Sequence, residues 1–203
     1  MEGRRERKKQ QTRQAISDVA TALFLERGFD AVTVAEVARA ADVAVQTVFN
    51  HFPAKEDLFF DQDGWWRGPA RAVREADAGT HPLDVLEAYC LAELRTRQQA
   101  GHLATWQQFV RTIEDSPALL ARRRQNAAEM EALLTEALEE RGHARLRSRM
   151  IAAQFAAAQK VLEEELMRLL HGAAAEIRPA EWEQAVAEVF GLLRHGLLTA
   201  DRV

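Results

Sequence analysis

The chain has 203 residues, of which 47% are hydrophobic and 29% charged, and its formal net charge is −4. This profile is typical of a globular protein and argues against a disordered chain or a basic protein that coats polyanions. The single cysteine, Cys90, excludes an intrachain disulfide, and no apolar run approaches the ~20 residues of a membrane span. The charged N-terminus does not resemble a secretory signal. We therefore expect a cytoplasmic protein that makes no contact with a membrane.

Composition and charge distribution narrow the fold class. Alanine and leucine together supply 59 of the 203 residues, and no stretch alternates apolar and polar residues as a strand does. The sequence therefore predicts an all-α protein. Residues 1–13 carry six basic and two acidic side chains, a net of +4, whereas residues 61–203 carry the whole of the −4. Such a basic arm is either a frayed, solvated terminus or a local contact with a polyanion.

Three short helices are predicted in the N-terminal quarter. The first runs from about Thr12 to Arg27, because one apolar stripe has helical spacing there and Gly28 follows. The second starts at Thr33, which forms a Thr-x-x-Glu capping box with Glu36. The third covers about residues 45–51 and ends before a proline.

Proline and glycine mark the later helices. Pro82, Pro117 and Pro179 stand at favoured first positions of helices. The pair Gly68-Pro69 is expected to kink or split the helix that follows residue 55. We expect about nine helices, the last two at about 144–173 and 179–199.

The second and third helices have the pattern of a helix-turn-helix. A tight turn at residues 41–44 separates them, and small residues on the second helix permit a close crossing. The third helix has apolar residues on one side and Gln46, Thr47, Asn50 and His51 on the other. Amide side chains at such a surface bond the edge of adenine in the major groove. This pattern predicts sequence-specific binding to double-stranded DNA.

The same segment resembles the DNA-binding domain of TetR-family transcriptional regulators. The matching residues are Thr33, Val34, Val37, Ala38, Ala41, Val43, His51, Phe52, Lys55, Glu56 and Leu58, with Phe24, Gly28 and Phe29 upstream. The resemblance implies a three-helix DNA-binding domain at residues 1–58 and a helical ligand-binding and dimerisation domain at 59–203. It implies a repressor that a small molecule releases from DNA. The alternative is a DNA-binding regulator with no small-molecule ligand, which responds to a protein partner or is constitutive.

Four residues depart from the family pattern; one of them is Gln46, which stands where glycine or alanine is common and whose longer side chain is a candidate for an added base contact. Asp42 stands where glycine is usual, and aspartate tolerates a left-handed turn better than most residues. Ala44 replaces serine, so the third helix loses a side-chain N-cap. Phe49 replaces tyrosine and lacks the hydroxyl that bonds a phosphate. We expect DNA binding to survive, because each lost bond is worth only ~1 kcal/mol.

The resemblance also implies individual DNA contacts. The residues expected to hold phosphates are Thr33, Thr47, His51 and Lys55. The residues expected to face base edges are Val45, Gln46 and Asn50. Two alternatives remain open. His51 would simply pack against the fourth helix, and Lys55 would be a solvated residue at the start of that helix. The basic arm is interpreted as a further backbone or minor-groove contact.

We also expect the protein to dimerise, to bind a ligand and to lack enzymatic activity. One recognition helix spans few base pairs, so specificity calls for a homodimer on a palindromic operator. We expect the dimer surface at about residues 144–199, where many apolar side chains also serve the protomer core. We also expect an apolar or aromatic ligand, near Trp65, Trp66, Tyr89, Trp106, Phe109, Phe155 and Gln159. No cofactor, metal site or enzymatic activity is expected, since the six histidines form no His-x-x-x-His pair and no glycine-rich phosphate loop is present.

Overall fold

A computed structural model describes residues 2–61, 65–99, 103–172 and 178–195. The chain is 84% helical and has no strand within these ranges. The predicted all-α class is therefore confirmed. None of the helices described is long and apolar enough to cross a membrane.

The described ranges contain ten α-helices, where the sequence predicted about nine. They are α1 (Glu2–Arg27), α2 (Val34–Ala40), α3 (Val45–His51), α4 (Lys55–Phe59), α5 (Gly68–Glu75), α6 (Pro82–Gln99), α7 (Leu103–Glu114), α8 (Pro117–Glu140), α9 (Arg145–Gly172) and α10 (Pro179–His195). A single 3₁₀ turn at Trp65–Arg67 precedes α5. The predicted split of the helix after residue 55 is confirmed, since α4 ends at Phe59 and Gly68-Pro69 begins a separate helix, α5.

The first helix is longer than predicted. It begins at Glu2 rather than at Thr12, so the basic arm is helical. The apolar periodicity that marks the rest of α1 is absent from residues 2–11, which explains the error. Arginine, lysine, glutamine and glutamate are nevertheless good helix formers and extend the helix without an apolar face. The helix starts predicted from proline are confirmed, since α6, α8 and α10 begin at Pro82, Pro117 and Pro179.

Contacts divide the chain into two compact units. The first comprises Met1–Gly64 and Gln108–Arg123, and the second comprises Trp65–Gln107 and Arg124–Val203. Helices α7 and α8 therefore each contribute residues to both units. The functional division at residues 58 and 59 stays a prediction.

Each unit has its own apolar core. In the first unit, Ile16 and Phe24 of α1 are fully buried, as is Val48 of α3. Phe59 stacks on Phe109 with ring centroids 4.3 Å apart and planes 11° apart. In the second unit, the largest fully buried side chains include Leu86, Leu134, Leu138, Phe155 and Phe190. Burying one such side chain contributes ~1.5–3 kcal/mol, so each unit has a substantial driving force for folding.

Candidate nucleic-acid interface

The turn between α2 and α3 is set by local hydrogen bonds. Asp42 has φ +54°, in the left-handed region. Its amide donates to the carbonyl of Arg39 at 3.3 Å, and the Val43 amide donates to the carbonyl of Ala38 at 2.9 Å. This pair of bonds is a Schellman motif with aspartate at the position usually held by glycine. The expectation that Asp42 accepts the left-handed turn is confirmed.

The start of α2 is held by the predicted capping box. The Glu36 amide donates to Thr33 Oγ1 at 3.2 Å, and the Thr33 amide donates to Glu36 Oε2 at 2.8 Å. Arg27 donates to the other carboxylate oxygen, also at 2.8 Å. The Thr33 backbone bond, the Arg27 guanidinium and the Thr33 hydroxyl together lower the pKa of Glu36 to about 2. The Thr33 hydroxyl donates to Glu36 as well, at 2.8 Å, so its hydrogen is engaged within the protein.

Helix α3 presents a mixed apolar and amide face to solvent. Val48 is fully buried on the inner side, whereas Val45 and Phe49 are 41% and 43% exposed. Gln46 and Asn50 are exposed between them, and Gln46 Nε2 donates to Asn50 Oδ1 at 3.1 Å. This bond leaves amide groups of both side chains available to base edges.

The N-terminus of α3 has no side-chain cap. Ala44 makes no cap bond there, as expected from the sequence. Thr47 of the first turn is half-buried. The helix has only seven residues, so its position depends on packing rather than on its own stability.

Of two predicted phosphate contacts, Lys55 is held by contacts within the first unit, and His51 is half-buried there. Lys55 Nζ donates to the backbone carbonyl of Phe29 at 2.6 Å and lies 4.1 Å from the centroid of the Phe29 ring. Burial lowers the pKa of the Lys55 ammonium. Burial also lowers the pKa of His51, with a smaller contribution from the positive charges of Arg13 and Lys9. A contact of either side chain with DNA stays a prediction.

Two features of the interface were missed from the sequence. Arg13, counted there as part of the basic arm, donates to the carbonyl of His51 and to Asp61. Residues 108–123 belong to the first unit, where Gln108 donates to the carbonyl of Leu25 at 2.7 Å. Ser116 donates to Asp30 at 2.8 Å. Contacts across 38 to 86 residues leave no local pattern, so no sequence signal marks them.

The predicted ligand residues fall in both units. Phe109 packs against Phe59 and Phe60 in the first unit. Trp66 and Phe155 are buried, and Tyr89, Trp106 and Gln159 are half-buried, all in the second unit. The side chain of Trp65 lies outside the described part of the structure. No hydrogen-bond donor among the described residues reaches the buried Oε1 of Gln159.

A small cleft occurs elsewhere in the second unit. Its empty volume is about 190 Å³, and its lining residues are Leu91, Leu94, Arg95, Pro179, Trp182 and Glu183. Ligand pockets typically measure ~300–1,000 Å³, so this cleft is small for a drug-sized molecule. None of the predicted ligand residues lines it.

The described residues contain no cluster of histidine, cysteine and carboxylate side chains that could hold a metal ion. Burial raises the pKa of the Cys90 thiol to about 12. Because the thiolate is the reactive form of cysteine, Cys90 is a poor nucleophile.

Comparisons with known proteins agree with a DNA-binding role. Residues 16–61 match the family described as "Bacterial regulatory proteins, tetR family". The HTH-type transcriptional regulator TcmR of Streptomyces glaucescens is 31% identical over 183 residues, covering 80% of this chain and 76% of TcmR. The HTH-type transcriptional repressor KstR of Mycobacterium tuberculosis is 34% identical over 106 residues, covering 51% of this chain and 46% of KstR. The similarity to TcmR thus extends well beyond the helix-turn-helix.

Solved structures share the fold. Thermus thermophilus FadR, a TetR-family transcriptional repressor in complex with lauroyl-CoA, matches with a TM-score of 0.53 at 21% identity. The match covers 91% of this chain and 94% of that chain. At this identity the likeness concerns the fold: an N-terminal helix-turn-helix followed by a helical C-terminal part.

Proposed function

Because the chain belongs to the TetR family of transcriptional regulators, we propose that it is a homodimeric repressor of a palindromic operator, released by a small apolar or aromatic molecule. Members of this family bind DNA and are not enzymes. The observation that carries the proposal is the outward face of α3, where Gln46 and Asn50 are exposed beside Val45. A regulator of this kind works beside the bacterial chromosome, so its proposed location is the cytoplasm.

The base contacts are assigned to three side chains of α3. Gln46 and Asn50 bond adenine edges, and Val45 packs on a thymine methyl group. The hydrogen bond between the two amides supports this assignment, because it fixes the orientation of one amide relative to the other. Ordered amides lose less side-chain entropy when they bind a base pair.

The phosphate contacts are assigned to Thr33, Thr47, His51 and Lys55. Lys55 has three N–H donors and gives one to Phe29, so two remain for a phosphate. The hydrogen of the Thr33 hydroxyl must leave Glu36 before it can bond a phosphate. Lys55 is therefore the better supported of these two assignments.

The dimer surface is assigned to α9 and α10, within residues 144–199. Leu146, Met150 and Val161 of α9 are 74%, 52% and 51% exposed. Their spacing of four and eleven residues puts them on one side of the helix. Trp182 and Phe190 of α10 are buried inside the protomer and belong to its core. The exposed stripe of α9 is thus the part of this region that a second copy would cover.

The ligand is assigned to the second unit. Trp66, Tyr89, Trp106, Phe155 and Gln159 supply aromatic surface and a buried amide oxygen without a donor among the described residues. Apolar walls with few polar groups suit an acyl chain or an aromatic compound. The complex of FadR with lauroyl-CoA makes that thioester a suitable first probe.

Selection of bound sites from random DNA tests the operator assignment. The expected result is an inverted repeat whose half-sites lie one helical turn, about 10–10.5 base pairs, or a multiple of it apart. Enrichment of no sequence, or of a single unpaired half-site, would contradict a homodimer that binds a palindrome.

Release of the selected operator tests the ligand assignment separately. Lauroyl-CoA and a set of aromatic compounds are titrated against the complex while DNA anisotropy and tryptophan fluorescence are recorded. Release with a fluorescence change supports the ligand. If no compound releases DNA, the ligand part fails and the alternative, a regulator without a small-molecule effector, is favoured.

A further inference from the structure

A side chain from α1 holds the last turn of α3. Arg13 donates from Nη1 to the carbonyl oxygen of His51 and from Nη2 to Oδ1 of Asp61. Its guanidinium carbon lies 4.2 Å from the centroid of the Phe52 ring. One guanidinium therefore contacts the last residue of α3, the residue that caps it, and a carboxylate two residues after the end of α4.

The contact with His51 satisfies a group that the helix itself leaves without a partner. The last four carbonyls of an α-helix have no intrahelical donor. A positive charge at this end also interacts favourably with the helix dipole. Because α3 has seven residues and no side-chain N-cap, its C-terminal contacts matter more than they would in a long helix.

The pair between Arg13 and Asp61 is partly withdrawn from water. The two side chains are 33% and 12% exposed, respectively. Charge pairs of this kind are less screened than surface pairs. Removal of the guanidinium would leave a mostly buried carboxylate without its cation.

We propose that Arg13 is a positioning residue for DNA recognition. Its side chain fixes the C-terminal end of α3 against α1 and does not contact a DNA phosphate. The proposal rests on the function proposed above for α3. Asn50 directly precedes His51, so the carbonyl that Arg13 holds lies next to a base-contacting residue. Of the six basic residues among residues 1–13, Arg13 thus belongs to the fold of the recognition unit rather than to the arm.

The salt dependence of operator binding separates the two roles of an arginine. We compare Arg13→Ala with Lys9→Ala in the full-length protein on the selected operator; Lys9 is an exposed cation one turn earlier on α1. Arg13→Ala is expected to weaken binding about tenfold or more with the salt slope unchanged. A slope that falls by about one, as for a lost phosphate contact, would overturn the proposal. Lys9→Ala shows the slope change that a lost arm contact produces.

Asp61→Asn gives different effects on operator binding under the two roles. It removes a negative charge, so a DNA-contacting Arg13 would become freer and binding would tighten or stay the same. A positioning Arg13 loses the charge of its anchor and keeps only an amide acceptor, so operator binding weakens and the double variant with Arg13→Ala is no weaker than Arg13→Ala alone. Arg13→Lys adds a third comparison, because lysine keeps the charge but lacks the planar fork that reaches both acceptors. Wild-type affinity for Arg13→Lys would contradict positioning.

Hydrogen exchange in the free protein tests the proposal without DNA. The α3 amides of Arg13→Ala and Asp61→Asn are expected to exchange about tenfold faster than those of the wild type and of Lys9→Ala. Unchanged exchange in both variants would overturn the proposal. If the wild type bound no operator at all, the proposed function would fail, while hydrogen exchange would still report whether Arg13 holds α3.

Discussion

Two helices present large apolar side chains to solvent, α3 in the first unit and α9 in the second, and their surroundings differ. On α3, Val45 and Phe49 are interleaved with the amides of Gln46 and Asn50. On α9, Leu146, Met150 and Val161 share an exposed side over a much longer helix of 28 residues. Exposed apolar side chains therefore do not by themselves define what a surface binds.

The difference in size and chemistry suggests different partners. A short helix with amides fits a major groove, which is about 12 Å wide and lined with donors and acceptors. A long apolar stripe fits the apolar face of another helix. Two such faces associate because they bury apolar surface, and they need no hydrogen bonds between them. The proposals for α3 and α9 follow from this contrast, and single substitutions can test each of them.

The largest expected effect concerns the α9 face. Replacing both Met150 and Val161 with aspartate puts four uncompensated carboxylates into a symmetric interface. The dimer dissociation constant is expected to rise about a hundredfold or more, measured by analytical ultracentrifugation. Ala132→Asp on the exposed side of α8 is the control and should leave the protein dimeric. A double variant that stayed fully dimeric would refute the assignment of this face.

Asn50→Ala tests the DNA-binding role proposed for the α3 face. It should weaken operator binding and relax base preference by ~1–3 kcal/mol, because one amide contact to a base is lost. Titration of operator and scrambled DNA at one salt concentration measures both quantities. Equal losses on the two DNAs would indicate a phosphate contact instead. A double variant with Gln46→Ala should lose less than the two single losses combined, since the two amides are hydrogen-bonded to each other.

Lys55→Met should show two effects with different origins. The methionine keeps the apolar stem but removes the ammonium donor of the Phe29 carbonyl, which then keeps only the Val32 amide at 3.3 Å. The loss of this one hydrogen bond is expected to cost ~1 kcal/mol of unfolding free energy. If Lys55 also contacts a phosphate, the salt slope of DNA binding falls by about one. Denaturant unfolding and salt titration separate the two. An unchanged unfolding midpoint would show that the contact with Phe29 contributes nothing to stability.

The smallest effect is a pH dependence located at the start of α2. The pKa of Glu36 lies at about 2 in the folded protein, below its ordinary value of 4.5. The carboxylate therefore contributes its stabilisation above about pH 4.5 and loses it as the pH falls toward 2. Thermal melting from pH 6 to 2 should show a shallower decline for Glu36→Gln, which retains the capping-box geometry. A decline as steep as that of the wild type would mean that other carboxylates account for it.

Local chemistry allowed much of the first unit to be predicted. The capping box of Thr33 and Glu36, the left-handed Asp42 and the uncapped Ala44 each depend on residues within five positions of one another. Such short-range rules are encoded in spacing and residue type. The outline of the first unit was therefore accessible from the sequence.

The features that were not predicted depend on contacts between residues that lie far apart in the sequence. Arg13 meets His51 across 38 residues, and Phe109 stacks on Phe59 across 50 residues. Charge alone groups Arg13 with the basic arm, and no local pattern marks the packing of Phe109 against Phe59. Only the folded chain distinguishes an arginine that holds a helix from one that is free to contact DNA.

The most direct test of base recognition by α3 is a parallel selection from random DNA with the wild type and with Asn50→Ala. We predict that both proteins select an inverted repeat of the same half-site spacing, and that Asn50→Ala loses preference at one base pair in each half-site, in symmetric positions. An unchanged preference at every position, or an equal loss at all positions, would contradict recognition of bases by Asn50 of α3.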